Sequence, residues 1–388
     1  MMSTLSMTNG EKVWTTLIEG FNEVVNNIAP SKIVQCKRNY QPYIDKEILE
    51  EIEETNKQLE LAITTRDPGE KRVFNRKRNK VSKNIEKKKK EYYMEKMKSQ
   101  KTMWTSINNL TGTKNFNTPK TIIHNGETLH SPKKIANALN EHYVESVKQI
   151  RERFEEPKLS PIEFLEKVMP KPTSEFKLEE VTIEKMEEYI DNLKPTNTTG
   201  FDKVTSRAIK MAKPIMKVLV THAINCSIRE NRFPSVLKIS RILPIQKPKK
   251  TKLEKESYRP ICNLHSLEKL FEEHIKVQLV EYLETNEILH DGHHGGRKNR
   301  STMTAKASID DNLAKKYEEG KTTSIISTDL SLCFDTVDHK TLLEKMNFYG
   351  IQGKENTFFE SFLSERTQYI ELETCKSTVR NANNCSVI

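Results

Sequence analysis

None of the six cysteines (Cys36, Cys226, Cys262, Cys333, Cys375 and Cys385) belongs to a C-x-x-C pair. That excludes a zinc ribbon and gives no framework of the secreted, disulfide-stapled kind, which points to a reducing compartment. Apolar length is missing too. No uninterrupted hydrophobic stretch approaches the ~20 residues a membrane span requires. The opening MMSTLSMTNGEKVW has no basic leader followed by an apolar block. Hydrophobic residues make up only 35% of the 388, and the mean hydropathy is −0.70. A core of ordinary size then requires part of the chain to stay helical on a surface. No repeat at solenoid periods and no G-x-x-x-x-G-K-[ST] phosphate loop occurs. A soluble, intracellular chain of two or three domains is expected, with no membrane partner.

What is present is positive charge, and it is concentrated. The formal charge is +10, which favours a polyanionic partner. Residues 71–101 hold 14 Lys/Arg against 3 Glu, a surplus that exceeds the excess of the whole chain. This stretch lacks Pro and Gly, and Tyr93, Met97, Trp104 and Ile107 continue it as one apolar helical stripe. Residues 45–63 (DKEILEEIEETNKQLELAI) read as a second helix, acidic at its start in keeping with the macrodipole. Asp67-Pro68-Gly69 breaks the two apart. An antiparallel helical pair with one basic face is expected for the first 110 residues. Such a charge run is either a solvated face or a nucleic-acid contact.

Further on, Asn125-Gly126 marks a two-residue hairpin and Ser131-Pro132 a helix start. Prolines at 157, 161, 170 and 172 read as a linker, and 182–194 as an amphipathic helix. In the second half, strands are expected at 240–248, 322–330 and 367–373. Helices are expected at 266–284 and from His339 to a stop at Gly350. This mixture predicts an α+β class.

The segment STDLSLCFDTVDH (327–339) puts Asp329 at the end of the expected apolar strand. A buried carboxylate there is costly unless it binds a cation or strong donors. Asp329 is then either a ligand for a hard divalent cation or a cap for a helix starting near Thr336. Lys247 and Arg259, in ILPIQKPKKTKLEKESYRPICNL, suit phosphate binding, Arg as a fork and Lys as a point charge. Lys249 and Lys250 read as surface cations. The loop HHGGRKNRST combines adjacent glycines with Arg297, Arg300, Ser301 and Thr302, which suits close approach by a nucleic-acid backbone. His290, His293 and His294 lack the Cys or carboxylate partners of a metal site.

Taken in order, four blocks resemble the reverse transcriptases of non-LTR retrotransposons, the LINE-type and jockey-like elements. They are TGFDKVTSRAIK (199–210), PIQK…YRPICNL…KLFE, GGRKNRST and DLSLCFDTVDH. The likeness is closest over 175–388, and 92–112 resembles the linker before the polymerase. The resemblance implies a partial right-hand polymerase, fingers and incomplete palm, preceded by a mainly helical, basic region. It implies a helical RNA-binding extension at 1–115, a hairpin-plus-helix connector at 116–198 and the polymerase part at 199–388. Asp329 and the Leu330 carbonyl would bind Mg2+ for catalysis, and Lys247 and Arg259 the incoming triphosphate. Phe334 would be an aromatic gate under the sugar, its other reading being core packing. Arg297, Arg300 and Ser301 would meet template, with Asp335 and His339 in support. The implied partners are an RNA template, a DNA primer and deoxynucleoside triphosphates, and the implied location is the nucleus.

Leu332 and Cys333 depart from the family pattern, and its Q-G-S and Y/F-A-D-D elements are not found in the 388 residues. Asp310-Asp311 falls in a helical pattern upstream of Asp329, on the wrong element. The sequence therefore reads as a polymerase fragment that does not polymerise by itself. The alternative is a non-catalytic RNA- or DNA-binding remnant acting through residues 71–101.

Overall fold

The computed structural model describes residues 2–30, 41–99, 102, 103, 106, 107, 118–155, 157–248, 250–330 and 332–382. Cys36, Lys101, Trp104, Lys249 and Cys385 lie outside them. Two compact units are present: Ser31–Phe116, and Met1–Pro30 together with Asn117–Ile388. No described helix is long and apolar enough to cross a membrane.

Helix α1 (Gly10–Ile28) starts at Asn9, whose side chain accepts the Lys12 amide at 3.0 Å. Val13, Trp14, Leu17, Ile18 and Phe21 form its buried stripe. Trp14 donates to Ser227 Oγ at 3.0 Å and stacks on Phe271, so α1 packs with the larger unit. Residues 1–115 are thus not one body. The apolar stripe of α1 needs a core that the charged helices after it cannot supply.

In the Ser31–Phe116 unit, α2 (Lys46–Thr65) and α3 (Pro68–Met97) form the expected antiparallel pair. Asp45 caps α2, and Asp67 accepts the Gly69 amide at 2.9 Å to start α3. Polar ties dominate the seam: Asn84 bonds Glu51, Lys77 meets Glu54, and Lys88 meets Asp45 and Glu47. Arg72, Arg76, Lys83, Lys87 and Lys90 are all exposed. At helical spacing they fall within about 60° of arc, opposite the buried Val81.

The larger unit continues with β1 (Ile122–His124) and β2 (Glu127–Leu129), joined by Asn125 and Gly126 at φ 51° and 82°. Next comes α4 (Pro132–Arg151). Within the expected linker lies α5 (Pro161–Val168), where Ser160 and Glu163 form a capping box and Pro161 opens the helix. Then follow α6 (Ile183–Asn192), α7 (Ser206–Met211), α8 (Lys213–Arg229), β3 (Ile239–Gln246), β4 (Tyr258–Asn263) and α9 (Ser266–Thr285). The chain goes on through α10 (Thr302–Glu318), α11 (His339–Phe348), α12 (Gly353–Leu363), β5 (Thr367–Leu372), β6 (Cys375–Lys376) and β7 (Arg380–Asn381). The main sheet runs β4-β3-β5-β6, with β7 also on β5; β3 and β5 are parallel and the other pairs antiparallel.

Two hydrophobic cores result. One gathers α1, α6, α8, α9 and α12 around Trp14, Ile190, Ile224, Phe271 and Phe358. The other packs α4 and β1 on the sheet through Ile122, Leu139, Tyr143, Ile242 and Ile370. Gly350, at φ 85°, ends the turn after α11, and its carbonyl accepts the Phe176 amide at 2.9 Å.

One expected strand is absent. Residues 321–330 carry no strand and are exposed throughout, Ile326 to 89%. A strand needs a neighbour to take its backbone groups. Both sides of β3 are already used by β4 and β5, and no described strand pairs with 322–330. Asp329 is accordingly exposed rather than buried at a strand end. Nor does it cap the next helix, which starts at His339 with Asp338 as its cap.

Candidate functional site

The site begins at the β3–β4 hairpin. Ile245 pairs with Arg259, and the Lys247 amide donates to Ser257 O at 2.7 Å, extending the ladder by one step. Alternation along a strand puts Lys247 and Arg259 on one face and Tyr258 on the other. Tyr258 is buried, and its hydroxyl bonds Lys252 O at 2.8 Å. Lys247 Nζ bonds Glu256 O at 2.7 Å, whereas Arg259 is exposed with no polar partner among the described residues.

A cavity of about 680 Å³ lies against this hairpin. Lys247, Arg259, Asp329, Leu330 and Asp335 all line it, so five residues singled out from sequence meet in one place. Its lining combines two cations, Lys247 and Arg259, with three carboxylates, Glu256, Asp329 and Asp335, and with apolar groups that include Ile242 and Cys262. Burial pushes the Cys262 thiol up to about 11, leaving it a neutral wall. Leu332 also lines the cavity, with φ at 51°, a left-handed conformation that costs a leucine ~1 kcal/mol. This is one of the two positions where the sequence departs from the family pattern.

Part of the lining comes from α4, through His142, Tyr143 and Ser146. Sequence reading treated that helix as a connector and missed these residues; only the amphipathic pattern of α4 signalled a buried face. Burial lowers the His142 pKa, with Glu256 opposing and Lys255, Lys247 and His124 adding to the lowering. Burial raises the Tyr143 phenol, so it stays neutral. Asn140, fully buried, anchors the helix: it bonds Ser377 Oγ at 3.2 Å and Thr378 O at 2.9 Å, and accepts from Gln368 at 2.9 Å.

Other sequence candidates lie away from this cavity. Phe334 is 64% exposed on the 332–337 turn and does not line it. His339 is the first residue of α11, and burial followed by Arg151 lowers its pKa. The neighbouring Asp338, not singled out from sequence, accepts the Thr341 amide at 2.8 Å and pairs with Arg151 at the end of α4. Those bonds, the Thr341 amide first, hold its carboxyl below the usual range. An aspartate just before a helix was a legible capping signal.

The 290–301 loop braces itself. Arg297 reaches both Glu284 carboxylate oxygens, at 2.7 and 2.5 Å, and the His290 carbonyl at 2.9 Å. Its side chain is only 9% exposed. Arg300 bonds the Asp291 carbonyl and carboxylate, and Ser301 caps α10 by accepting the Thr304 amide. In this structure all three side chains serve the loop rather than an open surface.

Two buried polar contacts fix the frame. Asp202, from the first block, lies 3.1 Å from His265 Nδ1 at the entry to α9. Arg366, before β5, pairs with Glu268 at 2.8 Å and nears Glu272 at 4.0 Å, one helical turn on. Burial, then the Glu272 charge, raises Glu268 well above the usual carboxylate range, and burial brings Glu272 to about 7.

Residues 245–384, which hold β4, Lys247, Arg259 and Asp329, match the reverse transcriptase (RNA-dependent DNA polymerase) family. The chain is 28% identical over 207 residues to a probable RNA-directed DNA polymerase from transposon BS of Drosophila melanogaster, covering 52% of this chain and 22% of that protein. It is 25% identical over 200 residues to the RNA-directed DNA polymerase from mobile element jockey of Drosophila funebris, with the same coverage. Over 126 residues it is 27% identical to the retrovirus-related Pol polyprotein from type-1 retrotransposable element R2 of Popillia japonica, covering 32% of this chain and 17% of that protein. The matched segment is similar to a reverse transcriptase domain. The similarity is to the enzymes of non-LTR retrotransposons, and the jockey-like type fits it. The chain spans about a fifth of the length of the curated relatives it matches.

Proposed function

We propose that this chain supplies the fingers and part of the palm of an RNA-directed DNA polymerase, and that its cavity receives the incoming deoxynucleoside triphosphate. The observation that carries this reading is the convergence of Lys247, Arg259 and Asp329 on one cavity. Arg259 grips the phosphate chain as a fork and Lys247 adds a point charge. Asp335, at the rim, supports the turn. Phe334, one residue earlier, does not line the cavity and is given no contact with the sugar; the loop braced by Arg297, Arg300 and Ser301 would support the RNA template ahead of the DNA primer.

Polymerases of this family use divalent cations, and the hard oxygen donors Asp329 and the Leu330 carbonyl suit Mg2+. They do not complete a site: no cluster of three or more His, Cys, Asp or Glu suited to a metal exists among the described residues. One carboxylate cannot hold two cations in register. The 388 residues alone are therefore not expected to extend a primer, and robust extension of a primed RNA template would contradict this.

Calorimetric titration with dATP tests the site. Lys247→Ala and Arg259→Ala should each weaken metal-free binding about tenfold or more, the worth of a charge-assisted hydrogen bond. Asp329→Ala should tighten it by removing a like charge, and weaken it once Mg2+ is added. Unchanged affinity in all three variants would remove the nucleotide from this cavity.

A further inference from the structure

We propose that His142, on α4 and outside the segment matching the polymerase family, is a third phosphate contact of this cavity, joining Lys247 and Arg259 on the polyphosphate chain of a nucleotide. The inference rests on the nucleotide reading above and extends it to an element assigned no such role.

Three observations converge on it. His142, on α4, lines the same cavity as Lys247 and Arg259. Its helix is a fixed wall: Asn140, two residues earlier, is locked into the sheet by Gln368, Ser377 and Thr378, and Asn137 accepts the Thr378 amide at 2.8 Å. A satisfied buried polar network of this kind specifies one position for the helix. Third, the imidazole is surrounded by mixed charge. Glu256 approaches Nδ1 at 3.9 Å, Ser146 Oγ lies 3.3 Å from it, and Lys247, Lys255 and His124 face it from the sheet, the 3-10 turn before β4 and β1. Arg259, Asp329 and Asp335 stand elsewhere around the cavity.

Without a ligand, burial and these cations keep the ring neutral near pH 7. A phosphate seated between Lys247 and Arg259 supplies the missing negative charge, so the ring takes up a proton on binding and donates to a phosphate oxygen. Affinity then rises as pH falls, beyond the ligand's own titration.

The test is dATP titration of the full chain at about pH 8 and about pH 5.5, with wild type, His142→Gln, His142→Lys and Arg259→Ala side by side. Comparison between variants cancels protonation of the triphosphate. Wild type should gain about tenfold over His142→Gln as pH falls, the linkage for a ring whose pKa rises by about one unit on binding. His142→Lys should bind more tightly than wild type at pH 8 and lose the extra gain as pH falls. Arg259→Ala should weaken binding at both values; if it does not, the nucleotide reading itself fails. If Arg259→Ala weakens binding but all His142 variants keep the wild-type pH dependence, the His142 inference is overturned. It is also overturned if the pH effect appears with a single-stranded oligonucleotide and not with dATP. Unfolding curves that match wild type certify that the variants are folded.

Discussion

Arg366 carries the clearest stability argument at the scale of single residues. It lies buried between Glu268 and Glu272, two carboxylates one turn apart on α9, so one cation answers two acids. Burial raises Glu272 to about 7 in the fold, against an ordinary 4.5, with Arg366 and Lys269 only partly offsetting it. An acid whose folded pKa is raised binds its proton more tightly folded than unfolded, so its contribution falls as pH rises. The loss develops from about 4.5 to about 7 and is complete above that. Stability measured by denaturant at pH 5 and pH 8 should drop more for wild type than for Glu272→Gln, and Glu272→Gln should be the more stable of the two at pH 8. Equal pH dependence in the two proteins would contradict the assignment. Arg366→Ala, by contrast, strands a buried carboxylate and should be strongly destabilising.

At the scale of elements, what was legible in the sequence was local. Asp45, Asn125-Gly126 and Gly350 each set their element by their own conformation or by a bond to a near neighbour, so α2, the β1–β2 hairpin and the end of α11 fall where expected. Elements whose state depends on remote partners were not legible. The role of α1 is fixed by Ser227 and Phe271, more than two hundred residues on. Residues 322–330 have strand composition but no described neighbour to pair with, and they remain unpaired. The same division holds within the site. Lys247, Arg259 and Asp329 were legible because short motifs carry them, whereas His142 was not, since only tertiary packing brings α4 to the hairpin. Arg297 looked like a free cation because its partner Glu284 belongs to the preceding helix. Hydrogen exchange should show fast, unprotected amides through 321–330, beside strong protection in β3 and β5. Strong protection across 321–330 would mean that it is paired after all.

For the molecule as a whole, charge is divided between the two units. The basic stripe of Arg72, Arg76, Lys83, Lys87 and Lys90 sits on α3 in the smaller unit, while the cavity lies in the larger one. We assign RNA contact to the stripe and nucleotide contact to the cavity. Replacing the five cations with Ala should reduce the dependence of single-stranded RNA affinity on salt, lowering the log–log slope by about 3 to 4, while leaving dATP affinity unchanged. An unchanged slope would place the RNA contact elsewhere. The cavity remains the central claim, and photo-crosslinking of an azido-dATP followed by peptide mapping reads it most directly. The account predicts label on β3–β4, on α4 near His142 and around Asp329, all competed away by unmodified dATP. Competable label confined to α3, or none at all on the cavity walls, would contradict it.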